Sequence, residues 1–294
     1  MDEALARKTK LTMLLEIPLC LITIAVNTST FLYCRRKGVE KTHHLTMILL
    51  KLTFDTTFSS VAIVYCTVVL LKIDGVVSNV DYLFFFGNLV QSIEMAIAVL
   101  NIFTAMDRLA AMRKPVAYCL TNSGRIMKTA MCCTGILFIF SVSLFYFGSK
   151  PNSEGFVFSQ FNQRWVQITF HTINMVLLIA EVLLTIVFLI DFRCFIKKRA
   201  NNHVPSYVKN VRFANKVVTY QMITDIVTLI IPTTTIVMPF YCCAIDLTAV
   251  VGPVVHPMFS VYVALCATLF CVLSMRNTKK VNVTVITERR SEES

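Results

Sequence analysis

Long apolar stretches alternate with short polar and basic segments along the whole chain. Seven stretches reach or exceed the roughly 20 residues that a helix needs to cross the hydrocarbon core of a membrane. They cover approximately residues 11–33, 45–71, 82–106, 127–147, 166–192, 217–241 and 254–275. The pattern predicts an all-α membrane protein: a bundle of seven transmembrane helices over residues 1–275, followed by a short tail over residues 276–294.

The overall composition supports the same class. Hydrophobic residues make up 56% of the chain and charged residues 15%, whereas a soluble domain has about 45–50% and about 25%. The net charge of +11 would otherwise suggest nucleic acid as a partner. The basic residues, however, lie in short clusters between the apolar stretches, so we predict membrane lipid and no nucleic acid.

The distribution of lysine and arginine predicts the orientation. Of the 28 basic residues, 21 follow the first, third and fifth stretches or lie in the tail. Cytoplasmic segments carry such an excess, which places the C-terminus in the cytoplasm and the N-terminus outside. Arg7, Lys8 and Lys10 flank the first helix and favour the opposite orientation. They also resemble the start of a signal peptide, but the apolar run after them is long for one.

The most specific local pattern closes the third stretch. The run Asp107-Arg108-Leu109 with Ala111, Pro115 and Tyr118 resembles the DRY-type motif of rhodopsin-like G-protein-coupled receptors, with leucine at the third motif position. The resemblance implies that these residues couple the receptor to its G protein. An arginine at the membrane boundary is costly unless it is paired, and Asp107 is its neighbour. The alternative is that Arg108 only sets the topology.

The chain as a whole resembles the serpentine chemoreceptors of nematodes. It has short loops, a short N-terminal segment, the run MDRLAAMRKPVAY, and HPMF at the start of the seventh stretch. The resemblance implies a chemosensory receptor in the plasma membrane, of which the membrane of a sensory cilium is one part. Its partners would be a small extracellular ligand and a heterotrimeric G protein.

Several features of the rhodopsin-like pattern are missing. No cysteine lies at the outer start of the third stretch or within 148–165, so the usual disulfide between these places is absent. The NPxxY motif of the seventh helix is absent as well. The sequence is therefore that of a divergent receptor.

Polar residues inside the stretches define two candidate sites. Asn27 and Asp55 occupy positions that rhodopsin-like receptors also keep polar, and they form either a sodium-holding network or a structural interhelical hydrogen bond. Lys51 either pairs with Asp55 one turn away or extends toward the cytoplasm.

The second candidate site lies further toward the outer side of the bundle. Intramembrane acids are candidate functional groups, and Glu94 lies fourteen residues before Arg108, about 21 Å away along a helix. We expect Gln91, Glu94 and His171 to line a ligand pocket, with plain helix packing as the alternative. Glu181, in the fifth stretch, is a further intramembrane acid.

The sixth stretch contains Pro232 near its middle, which predicts a helix hinge. No acid lies near the base of this stretch, where Arg212 and Lys216 occur instead. A resting-state contact of Arg108 would therefore depend on Asp107 alone.

Other classes of function find less support. His171, His203 and His256 look isolated, and no spacing suggests a catalytic triad, a phosphate loop or a metal site. We therefore predict no enzyme, no metal and no cofactor. The main alternative is a multi-pass transporter or a ligand-gated channel, which the intramembrane acids leave open.

Overall fold

The computed structural model of the chain describes residues 3–36, 46–77, 79–113, 118, 123–150, 155, 157–199, 206–231, 234–235 and 255–292. Over these residues the chain forms seven long helices in the predicted order. They are α1 (Glu3–Arg36), α2 (Thr46–Ile73), α3 (Asp81–Arg113), α4 (Ser123–Phe147), α5 (Arg164–Arg199), α6 (Ser206–Asp225) and α7 (Val255–Glu292). A 3₁₀ turn, Phe158–Phe161, precedes α5, and α6 continues into a π-helical turn, Ile226–Ile230.

Six of these helices are long and apolar enough to cross a membrane, counted over the described ranges. The exception is α6, whose apolar part extends past the described residues. The predicted stretch 217–241 is described up to residue 231 and at 234–235. The predicted hinge at Pro232 therefore lies outside the described residues.

Apart from α6, the helices are longer than the apolar stretches that predicted them. Lysine, arginine and glutamate are good helix formers, so a spanning helix readily continues into the charged residues at its ends. The clearest case is α7, which continues to Glu292 through the residues predicted as a tail. No proline or glycine occurs between Met258 and Glu292 to end it.

Helix α3 is the centre of the bundle. It contacts α2, α4, α5 and α6. In the most apolar 18-residue segment of α3, 67% of the residues are buried, whereas in that of α5 the buried share is 17%. Helix α1 packs against both α2 and α7 and so joins the first and last helices. The exposed apolar side chains of α5 recur every three or four residues, as a lipid-facing surface requires: Val176, Ile179, Leu183, Ile186 and Ile190.

The two ends of the bundle differ in their connections. At one end α1, α3 and α5 finish beside the basic clusters, and we name it the basic end. The opposite end, where α3, α5 and α7 begin, is named the far end.

Hydrogen bonds link the residues after α4 to those before α5, within the described residues 148–150 and 157–163. The backbone of Lys150 donates to the carbonyl of Phe161 (2.7 Å), and that of Gln163 donates to the carbonyl of Gly148 (2.9 Å). The Asn162 side chain donates to the carbonyl of Phe158 (3.0 Å). These bonds join the two flanks of the segment to each other over its described residues.

Candidate functional site

At the basic end, three residues form a closed hydrogen-bonded network. Arg108 contacts the Asp107 carboxylate through two nitrogens, with its Nε 3.1 Å from Asp107 Oδ2. Its Nη2 also donates to the Tyr118 hydroxyl (3.1 Å), which donates in turn to Asp107 Oδ1 (2.9 Å). All three side chains are fully buried. We name this set the basic-end network.

The basic-end network pairs the buried guanidinium of Arg108 with groups that lie close to it in the sequence. A guanidinium inside a protein is costly unless it is paired and hydrogen-bonded, and the network supplies both. Asp107 was expected to hold Arg108 alone, but the structure adds Tyr118. Of the other motif residues, Ala111 is buried on α3, and Pro115 lies outside the described part of the chain.

Apolar side chains from several helices pack around the basic end. Helices α2, α3, α5, α6 and α7 all contribute to this cluster, including Leu52, Leu109, Phe188, Met222 and Phe270. One nitrogen of the guanidinium, Arg108 Nη1, is buried and has no hydrogen-bond partner among the described residues. A buried donor of this kind is unsatisfied, and a change of structure can bring it a hydrogen-bond acceptor.

Halfway along the bundle, Lys51 and Asp55 form a fully buried ion pair. The Lys51 Nζ lies 2.9 Å from Asp55 Oδ2 and 4.9 Å from the centre of the Tyr262 ring. Asn27 bonds elsewhere: its amide donates to the Leu52 carbonyl (3.3 Å) and to the Thr56 hydroxyl (3.0 Å). Asn27 thus joins α1 to α2, whereas Asp55 pairs with Lys51 of its own helix. Asn27 and Asp55 were predicted to share one network, but each has a different partner.

A small cavity adjoins this ion pair. Its lining includes Lys51, Asn101, Glu181, Gln221 and Tyr262. The Asn101 amide donates to the Tyr262 hydroxyl (2.9 Å), which joins α3 to α7. The two buried acids Glu181 and Asp225 lie side by side between α5 and α6.

Nearer the far end, a second charged cluster joins α3 to α7. His256 Nδ1 lies 3.1 Å from Glu94 Oε1, and His256 Nε2 lies 2.7 Å from the amide nitrogen of Gln91. Ser260, one turn along α7, donates to Glu16 Oε1 on α1 (2.9 Å). These residues are mostly enclosed, and Glu16 is fully buried. We name Glu16, Gln91, Glu94, His256 and Ser260 the far-end cluster.

The 3₁₀ turn covers this cluster with Phe158. The backbone N–H of Phe158 donates to the Tyr65 hydroxyl (3.2 Å), and the Tyr65 ring lies 6.0 Å from that of His256. The Phe158 ring packs on Phe145 at 4.9 Å. It lies so close to Gly87 that a β-carbon there would come within 2.6 Å of its side chain. Gly87 thus leaves the space that Phe158 fills.

The structure brings two of the three predicted pocket residues together. Gln91 and Glu94 both contact His256, whereas His171 lies beside Phe170, with ring centres 5.9 Å apart. The expectation that His256 is isolated was wrong, because its partners on α3 lie 162 and 165 residues away in sequence. Sequence reasoning also missed Glu16. A charged residue inside the first apolar stretch was a signal that could have identified it.

A comparison with known protein families finds a match over α1 to α4. The sequence model of the family described as "Serpentine type 7TM GPCR chemoreceptor Srbc" matches residues 7–152, about half of the chain. The matched region includes the Asp107-Arg108 motif and the α3 part of the far-end cluster, and it ends before α5. No curated protein matches the chain.

Proposed function

The chain is a nematode serpentine chemoreceptor, and from that premise we propose that it converts binding of a small extracellular molecule at the far end into activation of a heterotrimeric G protein at the basic end. The far end then faces outward, and the basic end and C-terminus face the cytoplasm. The receptor lies in the plasma membrane, the ciliary membrane included.

One observation carries this proposal: in the described part of the bundle a buried charged network lies toward each end, separate from the Lys51–Asp55 ion pair between them. Buried charges inside a membrane bundle are expensive and mark functional sites. The far-end cluster joins α1, α3 and α7 under the Phe158 turn, where a ligand could alter the contacts between helices. Gln91 and Glu94, with His256, are its proposed binding residues, and His171 is a further proposed contact on α5.

The basic-end network is the proposed coupling element. Arg108 is held by Asp107 and Tyr118, and its Nη1 has no partner in the part of the chain that the structure describes. Release of the guanidinium from Asp107 would give it new partners at the cytoplasmic surface, with Asp107, Ala111, Pro115 and Tyr118 shaping that surface. Pro232 is the proposed hinge of α6. The basic loops suit anionic lipid headgroups.

The test compares two arginines of the same helix. Membranes containing the receptor are incubated with purified G protein, and nucleotide exchange is measured without ligand and with a panel of small organic compounds. We expect exchange to fall at least tenfold in Arg108→Ala and to change little in Arg113→Ala, since Arg113 is exposed and pairs with Asp191 (2.5 Å).

Two results would overturn the proposal. Equal exchange in wild type and Arg108→Ala would remove Arg108 from coupling. A ligand-driven current that needs no G protein would favour a channel. An epitope tag at the N-terminus, tested for antibody access in intact cells, checks the orientation independently.

A further inference from the structure

The far-end cluster contains more acidic than basic side chains. Glu16 and Glu94 are both enclosed, and His256 is the basic residue that lies near both, bonded to Glu94 and within electrostatic range of Glu16. Two carboxyl groups therefore share one imidazole. A net negative charge in a medium of low dielectric constant is costly unless a further positive group offsets it.

Among the residues that the structure describes, one carboxylate oxygen in the cluster has no strong hydrogen-bond donor. Glu16 Oε1 accepts from Ser260 (2.9 Å), whereas no oxygen or nitrogen donor of the described residues reaches the buried Glu16 Oε2. The thiol of Cys66 lies beside Glu16 and is a weak donor at best. A buried carboxylate oxygen normally accepts at least one hydrogen bond, so this atom marks the place where a donor from outside the chain would bind.

Aromatic rings lie beside His256 and extend along α7 toward the middle of the bundle. Tyr65 lies beside His256, and Phe58 packs edge-on against Phe259 at 4.8 Å between ring centres. Phe259 also lies 5.7 Å from Tyr262. Ring faces attract a cation that has lost its water, and apolar walls accept the hydrocarbon part of a ligand.

We propose that the far-end cluster recognises a small primary amine in its protonated form, with Glu16 as the residue that binds the ammonium group. This inference rests on the proposed receptor function and names its ligand class. The ammonium supplies both missing elements, a positive charge and a hydrogen-bond donor for Oε2. A carboxylic acid of the same size would meet two carboxylates and be repelled, and an alcohol would supply a donor without the charge.

The experiment uses three probes that share a six-carbon chain: hexylamine, 1-hexanol and hexanoate at pH 7.4. Binding to the full-length receptor in nanodiscs is measured by titration, and G-protein nucleotide exchange is measured in parallel. For the wild type we expect hexylamine to bind at least tenfold more tightly than 1-hexanol, with hexanoate weakest. Phenethylamine against 2-phenylethanol repeats the comparison with an aromatic body.

Three variants locate the effect. Glu16→Gln removes the charge with little change of shape, and we expect it to abolish the preference of amine over alcohol. Glu16→Asp keeps the charge and should keep the preference, which also checks that the site tolerates substitution. Glu181→Gln makes the same chemical change at a buried acid of the middle cavity and should leave amine binding within threefold of wild type.

The outcomes separate this inference from the proposed function. Wild-type receptor that binds alcohol or acid as tightly as amine, or that binds no amine, overturns the amine inference, as does an amine preference that survives in Glu16→Gln. Activation by a neutral compound that needs Arg108 would leave the receptor function standing while the amine class fails. Selective amine binding through Glu16 without any nucleotide exchange would support the site and contradict the G-protein function.

Discussion

The basic-end network and the far-end cluster are both buried and charged, yet the chain builds them in opposite ways. Asp107, Arg108 and Tyr118 lie within twelve consecutive positions, so the network needs one helix and the residues after it. The far-end cluster joins α1, α3 and α7, and its partners are 162 to 244 residues apart. The basic-end network can stay intact while helices move relative to one another, whereas the far-end cluster cannot.

The chemistry of the two cations differs as well. The guanidinium of Arg108 keeps its proton under all conditions relevant to a protein, whereas the imidazole of His256 can release one and become neutral. Arg108 therefore always needs an acid beside it. His256 can lose its acid and still be accommodated, which makes the far-end cluster the more adaptable of the two.

Removal of the acid from each network should have unequal consequences, and this is the largest effect that we expect. Asp107→Ala leaves a buried guanidinium without its counter-charge, which costs about 3–5 kcal/mol. Glu94→Ala leaves an imidazole that can become neutral, so the loss should be about 1–3 kcal/mol, the cost of an unsatisfied polar group. Melting temperatures and yields of purified receptor in detergent measure the difference. Equal destabilisation by the two variants would contradict the comparison.

A substitution at Gly87 should disturb the far end without changing any charge. The new methyl group of Gly87→Ala would overlap Phe158, and such overpacking typically costs about 1–3 kcal/mol. Gly135 on α4 is a matched control, because nothing lies within 4 Å of its added β-carbon. Gly135→Ala should raise the melting temperature slightly, since alanine is the better helix former.

Truncation of Phe158 tests the cause of that effect. If the steric overlap is responsible, Gly87→Ala should cost much less in a Phe158→Ala background than in wild type. The same loss in both backgrounds would mean that Gly87 acts through some other contact.

Within the basic-end network, a smaller loss than that of Asp107→Ala should come from Tyr118→Phe. It removes one hydroxyl that accepts from Arg108 and donates to Asp107, and hydrogen bonds to charged groups contribute about 1.5–3 kcal/mol. The Arg108–Asp107 pair survives, so we expect a loss at the low end of that range and a rise in ligand-independent nucleotide exchange. Unchanged basal exchange, with normal amounts of receptor in the membrane, would show that Tyr118 does not restrain Arg108.

Sequence alone predicted the helices and the basic-end motif because both depend on short-range patterns. Runs of about 20 apolar residues define the spans, and Asp107 and Arg108 are neighbours in any conformation. The pairing of His256 with Glu94 could not be predicted, since it depends on how α3 and α7 pack. Glu16 gave a signal within α1, but its partner Ser260 is 244 residues away. The role of Gly87 was equally hidden, because it exists only relative to Phe158.

The ion pair between Lys51 and Asp55 bears on the dependence of the protein on salt. A metal cation held by a deep acid exchanges with the surrounding solution, and its occupancy follows the salt content of that solution. An ammonium on the same helix is covalently tethered and cannot be diluted. A bundle that supplies its own counter-ion to Asp55 needs none from solution at this position, so the structure around Asp55 should not depend on the sodium concentration.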